Sequence, residues 1–429
     1  MLGAIGIVAS LASVLACYFA WRALDGGKVD ASQAEFRRTR DGIVEHFGEL
    51  CRVAAELHMA ARPALRRIGS STLLVEEWMV ADDGLVPVSD LRVVWDPAEA
   101  PHFPALVQRC ARIMPLKTRW RRYPSYSAAL GDLARPRLYE NRESFRLVDA
   151  RWHGPQPTLT VGRARYFDVI DQNESLAQEL EAAIGRQMEQ LPAWRLLPIR
   201  MLLRQDPLSL RRRPVVPSIA TLTLRRAPDG TASYFLLYRD AAKVATGGGI
   251  YGAIPGGMFQ PASVSPLGYK RDMNVWHNIM REYNEEMLGA AEATGSGGAE
   301  VDYTQHPYNR FNQALSDGGL RVWVFGMGLE PLNLCPCVLT AAVFEASVFD
   351  RLFRKIVDEN EEGKLVSGPR SGGIAGLPFD EADVHALIAD GRVAPSAAAL
   401  LHLALEHRDQ LLADPPTSAA VRGRRSAPR

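Results

Sequence analysis

Arg281-Glu282-Tyr283-Asn284-Glu285-Glu286-Met287-Leu288-Gly289 is the stretch from which the rest of the chain is best read. Three carboxylates follow an arginine and precede a glycine. On a helix of 3.6 residues per turn, Glu282, Glu285 and Glu286 fall within about 100° of one another. Carboxylates gathered on one face repel. A hard divalent cation such as Mg²⁺ is the usual partner for clustered oxygen ligands. The same spacing also arises on a solvated face of an amphipathic helix, so the flanking residues decide between the two.

Upstream, Asp272 is placed to N-cap a helix from Met273 to Leu288. Its buried face would be Val275, Trp276, Ile279, Met280, Tyr283 and Met287. Gly289 suits the left-handed position just past a helix end. Before the helix lies Pro255-Gly256-Gly257, after a strand expected at Ile250 to Ile254. Strands are expected at Ile219 to Leu224 and Tyr234 to Tyr238, joined through the turn signal Pro228-Asp229-Gly230. Others follow at Arg321 to Leu329 and Cys337 to Phe344, and helices near Val348 to Val357, Asp380 to Asp390 and Pro395 to Leu412. Gly247-Gly248-Gly249 lacks the strand–GxGxxG–helix setting of a dinucleotide site and reads as a turn.

The earlier half reads as a helix over 31–68, strands at Thr72 to Val75 and Leu91 to Trp95, and a short helix from Tyr126 to Leu133. Extended stretches are expected at Phe145 to Val148 and Thr158 to Tyr166, then a helix from Ser175 to Leu191. The fold class is α+β / α/β: a mixed β-sheet sandwiched by helices, with a preceding α+β region. The segments are 1–22, an N-terminal transmembrane helix; 23–70, a juxtamembrane helix; 71–205, an α+β region of open role; 206–412, the main domain with C-terminal helices; and 413–429, a disordered tail rich in Pro, Ser and Arg.

The membrane expectation rests on Leu2 to Trp21, which holds no charged side chain and as a helix is long enough for a bilayer core. No Lys or Arg precedes it, against a cleaved signal peptide. Arg22, Lys28, Arg37, Arg38 and Arg40 follow it, which by the positive-inside rule puts the bulk of the chain on the cytoplasmic side of a single-pass membrane protein. The five scattered cysteines read as reduced thiols, and Cys335-Pro336-Cys337 is too tightly spaced for a zinc site. A net charge of +1 gives no reason to expect a nucleic-acid partner. Homo-oligomerisation is left open.

The order strand, Pro-Gly-Gly, loop, helix with Arg-Glu-x-x-Glu-Glu resembles the Nudix hydrolases. Their pattern is Gly, five residues, Glu, seven residues, Arg-Glu-U-x-Glu-Glu-x-Gly-U, where U is bulky and aliphatic. Gly257 matches the opening glycine, Arg281, Glu282, Glu285 and Glu286 match the core, and Tyr283 stands at the first U. The resemblance covers roughly Val216 to Asp350. It implies a Nudix-like fold, Mg²⁺ or Mn²⁺ as cofactor, and hydrolysis of a nucleoside diphosphate derivative. By carry-over, Glu282, Glu285 and Arg281 are the catalytic candidates, Gly256 and Gly257 form the phosphate loop, and Glu282, Glu285 and Glu286 are the metal ligands. Arg281 would orient the cluster through an i,i+4 pair with Glu285.

Leu138-Tyr139-Glu140-Asn141-Arg142, Tyr166-Phe167-Asp168, Ile254 to Pro261 and Arg281 to Glu286 are also similar to actinobacterial Nudix-like proteins, some of which carry a helix-turn-helix and are labelled regulators. No helix-turn-helix is read here. The chain departs from the family at two points. Its first glutamate position falls on Ser263, with 23 residues between Gly257 and Arg281. Met287 and Leu288 stand where the family has one residue before glycine. Glu345, His277, Arg239 and Lys243 are weaker candidates for a base or phosphate contact, and Arg211-Arg212-Arg213 reads as a solvated linker. Two functions follow: a membrane-anchored Nudix-type hydrolase, or a catalytically impaired Nudix-like module that binds a nucleotide or a protein.

Overall fold

The computed structural model describes residues 27–80, 84–136, 139–154, 156–184, 191–239, 249–291, 300–357, 359, 363–366 and 376–414. The apolar run Leu2 to Trp21, Lys243 and the tail beyond Asp414 lie outside them. No helix among the described residues is long and apolar enough to cross a membrane.

The fold is mixed α+β, built on a nine-stranded mixed sheet. Its main path runs Arg66–Ile68, Thr72–Leu74, Leu320–Leu329, Pro336–Glu345, Ser218–Arg226, Ala232–Tyr234 and Leu377–Pro378. Gly256–Met258 pairs with Ser218–Arg226, and Val86–Pro87 with Leu320–Leu329. The central pair is parallel, from Cys337 opposite Ser218 to Glu345 opposite Arg226. Both strands are buried on both faces over most of their length, as expected of a sheet covered on each side. The turn at Pro228-Asp229-Gly230 forms as the sequence predicts: Asp229 Oδ1 accepts from Thr231 N at 3.0 Å, and Gly230 takes φ +86. The expected strand Tyr234 to Tyr238 divides at Phe235. Ala232–Tyr234 stays in the main sheet, while Leu236–Arg239 joins Tyr251–Ala253 and Gly363–Val366 in a second one.

Strand alternation sorts the core into two layers. Ile219, Val338, Ala342 and Phe344 belong to the core that holds Ile279, Met280, Tyr283 and Met287 of the glutamate helix. Ala220, Leu222, Leu224, Leu339, Ala341 and Val343 belong to the core on the other face with the helix Pro395–Glu406. The glutamate helix therefore packs on one side of the central parallel pair.

The region before residue 206 is bonded into this body. Thr72–Leu74 and Val86–Pro87 extend the main sheet. Leu147 N donates to Val215 O at 2.7 Å, and Phe145 N to Phe259 O at 3.0 Å. The long helix expected over 31–68 breaks at His46, continues as Phe47–Ala61 and ends before Pro63, which cannot supply a helix N–H. Arg213, read as part of a solvated linker, is a correction. It is buried and donates to Asn173 Oδ1 at 2.8 Å and to Leu334 O, while Arg211 and Arg212 stay exposed.

Candidate active site

The glutamate helix begins two residues later than the sequence suggests. Asn274 is its N-cap, accepting from His277 N at 3.1 Å, and the α-helical part runs Val275–Glu282. Asp272 ends a separate short helix, Pro266–Asp272, which is capped by Ser265 and folds up the long insert. Asp272 is buried and points back into the protein. It accepts from Ala262 N at 2.8 Å and from the Tyr303 hydroxyl at 2.6 Å, and lies 3.3 Å from Arg281 Nη1.

That contact pairs Arg281 with Asp272 from the insert. The guanidinium also donates to Gln260 O at 2.5 Å and to Asn278 Oδ1 at 2.8 Å. Burial opposes the charge on Arg281, but Tyr303, Asp272, Glu282 and Glu285 outweigh it and raise its pKa above arginine's ordinary value. Arg281 is thus a fixed buried cation behind the carboxylates. Ser263, at the family's first glutamate position, is buried, and its hydroxyl accepts from Ser265 N at 3.2 Å.

After Glu282 the helix changes pitch. Tyr283–Met287 is a π turn, with Leu288 N donating to Tyr283 O at 3.2 Å. Helices absorb one residue too many as a widened turn of this kind, often at functional sites. The additional residue at Met287-Leu288 is accommodated there, and Gly289 still closes the helix at φ +74. Tyr283 anchors the turn. Its ring stacks on Phe311 with centroids 5.4 Å apart, and its hydroxyl lies 2.8 Å from Thr223 Oγ1.

The glycine loop is pinned to the central strand. Thr221 N donates to Pro255 O at 2.9 Å, and Thr223 Oγ1 to Ile254 O at 2.6 Å. A Cβ at Gly257 would meet the Glu282 carboxylate, which would have to leave its seat to make room. Glu286 is 4% exposed and its Oε2 accepts from Gly256 N at 3.2 Å. The expected three-carboxylate face is therefore divided. Glu282 and Glu285 line a cleft together with Gly256 and Gly257, and Glu286 ties the helix to the loop. Among the described residues, no three His, Cys, Asp or Glu side chains converge as a metal-binding group.

The cleft has a volume of about 260 Å³. Ser218, Ala220, Cys335 and Cys337 line it, as do Arg239, Ile250 and Gly252. The preceding region contributes Phe47, Glu140, Arg142 and Tyr166. Burial pushes the Cys335 and Cys337 thiols up to about 12, so both stay protonated at neutral pH.

Sequence reasoning missed Glu330 and Asn333. Both line this cleft. Burial pushes the Glu330 carboxyl up to about 7, with Arg239 opposing the shift. Glu330 follows the strand Leu320–Leu329 in a Glu-Pro-Leu-Asn stretch that carries no motif, so only the fold brings it to the site. Of the weaker candidates, Arg239 lines the cleft. Glu345 does not act as a free carboxylate: it pairs with Arg226 and Arg321, each at 3.2 Å. His277 stacks on Tyr303 at 3.8 Å and bonds to Arg271 O at 2.8 Å.

No family model and no curated protein matches the chain. Among solved structures, the chain is similar to a Nudix hydrolase from M. smegmatis, RenU. The identity is 14% over 45% of this chain and 86% of that one, with a TM-score of 0.20.

Proposed function

We propose that this chain is a hydrolase of the Nudix type, cleaving a nucleoside diphosphate derivative and held at a membrane by its N-terminal segment. One observation carries the reading. The Glu282 carboxylate is seated against the Cα of Gly257, beside Glu285 in a shared cleft, with the buried Arg281–Asp272 pair behind them. This juxtaposes a glycine loop that lets a phosphate approach the backbone with two carboxylates in a confined space.

The donor set suits Mg²⁺ or Mn²⁺. Mg²⁺ keeps several waters and takes one or two protein carboxylates plus substrate phosphates, so Glu282 and Glu285 suffice as protein ligands. When bound, the ion would neutralise phosphate oxygens and lower the pKa of a bound water. The chain's own residues do the remaining work. Arg281 is held by Asp272, Gln260 and Asn278, and so fixes where Glu282 and Glu285 stand. Asn278 Nδ2 also donates to Glu282 Oε1 at 3.3 Å. Glu330 and Asn333 offer hydrogen-bonding groups to the polar part of the substrate. A carboxyl with a pKa of about 7 presents both a donor and an acceptor form near neutrality.

The bond between Glu286 and Gly256 favours a second reading, in which the cleft binds a nucleotide without hydrolysing it. Turnover separates the two. The full chain in detergent or nanodiscs, given Mg²⁺ or Mn²⁺ and a panel of nucleoside diphosphate derivatives, should release a mononucleotide, and Glu285→Gln should abolish release. Saturable nucleotide binding with no product would leave the binding module.

A further inference from the structure

The segment from Leu116 to Arg122 folds as a small hairpin, Leu116–Thr118 paired with Arg121–Arg122. Its seven residues hold Lys117, Arg119, Arg121 and Arg122 and no carboxylate. At its turn, Trp120 is 78% exposed, and the Arg119 guanidinium lies 3.7 Å over its ring. Within a chain of net charge +1 this is a local excess of cations around the most exposed large apolar side chain among the described residues. Asp132 reaches Lys117 at 3.1 Å, whereas Arg122 donates to the carbonyl of Met114 at 2.6 Å, a partner that leaves its charge in place.

The placement of the hairpin adds a second observation. Leu116 N donates to Ser32 Oγ at 3.0 Å, and Gln33 Nε2 donates to Leu116 O at 2.9 Å. The hairpin is thereby fixed to the start of the first described helix, over 27–45. Only residues 22–31 separate Ser32 from the uncharged run Leu2 to Trp21. Ten residues span at most about 35 Å even when fully extended. Any bilayer that takes up that run lies within reach of the hairpin.

We propose that this hairpin docks on an anionic lipid surface, its cations meeting headgroup phosphates and Trp120 entering the interfacial layer. Tryptophan favours that layer because its ring is apolar and its N–H is polar, and juxtamembrane cations favour anionic leaflets. The inference rests on the membrane anchoring in the proposed function and is independent of hydrolysis. Nucleic-acid phosphates would attract the same cations, but the adjacent apolar run and the interfacial tryptophan favour lipid.

The test is fluorescence quenching of the full chain in vesicles whose acyl chains are brominated, with or without phosphatidylglycerol in phosphatidylcholine. With phosphatidylglycerol present, Trp120→Phe should show a smaller quenched fraction than the wild type, and high salt should narrow the difference. Without it the two proteins should match. Replacing Arg121 and Arg122 by Gln should weaken quenching of Trp120 and lower its dependence on phosphatidylglycerol on the order of tenfold. Equal quenching of wild type and Trp120→Phe in anionic vesicles would overturn the proposal. So would loss of RNA or DNA binding in the double variant with lipid quenching unchanged.

Discussion

The helix Tyr166–Ile184 carries Glu174, Glu179 and Glu181, while the glutamate helix carries Glu282, Glu285 and Glu286. In the first, every carboxylate is spoken for by the protein itself. Glu179 accepts from the backbone N–H groups of Ile199 and Arg200 at 2.5 and 2.9 Å. Glu181 lies 3.3 Å from His46, and Asn333 is hydrogen-bonded to Glu174. Arg200, wholly buried alongside, donates to the carbonyls of Pro331, Leu176 and Leu332 and contacts His58. In the second, Glu282 and Glu285 face a cleft, and only Glu286 is drawn inward. Equal numbers of glutamates on two helices thus serve different ends. A buried carboxylate held by backbone N–H groups orders the core, and a carboxylate on a cleft wall lies where a ligand can also meet it.

The comparison breaks most readily on stability. Arg200→Ala should cost about 3–5 kcal/mol of unfolding free energy, because it leaves the Glu179 end of a buried network without its cation. Glu282→Gln should stay within about 1 kcal/mol of the wild type, since its side chain lines a cleft. Chemical denaturation of both variants decides this, and similar losses would erase the distinction between the helices.

Gly257→Ala sharpens the site side. Its Cβ would push the Glu282 carboxylate from its seat. Hydrolysis should fall on the order of a hundredfold while the melting temperature stays near that of the wild type. A variant with full activity would show that Glu282 need not sit there. Asp272→Asn leaves the Arg281 cation buried without its carboxylate. It should cost about 2–4 kcal/mol and lower activity through the displaced arginine, a combined effect that Gly257→Ala lacks.

The smallest effect expected is that of pH. The folded chain raises the Glu330 carboxyl from 4.5 to about 7, so it holds its proton over a range where the unfolded chain has lost it. The stability from the neutral form is complete below about 4.5 and lost as pH rises through about 7. Glu330→Gln should therefore unfold like the wild type at low pH and exceed its stability above pH 7. If Glu330 contacts substrate, the variant should also flatten the change of KM across neutral pH. Unchanged profiles in both measurements would remove Glu330 from the site.

The parts of this molecule set by local pattern were legible before the fold was seen. The strands of the central sheet declare themselves through β-branched runs, the turn at Asp229-Gly230 through its chemistry, and the glutamate helix through its spacing and closing glycine. The features that depend on distant partners were not. Nothing local tells Asp272 to turn from a cap into the ion-pair partner of Arg281, nine residues on. The π turn follows from a one-residue excess that spacing rules for an ideal helix do not register. Glu330 and Arg213 look like ordinary charged residues beside prolines, and only chain crossings from elsewhere bury them.

Glu282 and Glu285, set against the Gly256-Gly257 loop, are proposed to form a divalent-metal site for diphosphate hydrolysis. Calorimetric titration of the full chain with Mn²⁺, alone and with a non-hydrolysable nucleoside diphosphate derivative, tests it most directly. Binding should tighten with the diphosphate and be lost in both Glu282→Gln and Glu285→Gln, while Glu181→Gln should bind like the wild type. Metal binding that survives both cleft substitutions, or no binding by the folded wild type, would contradict it.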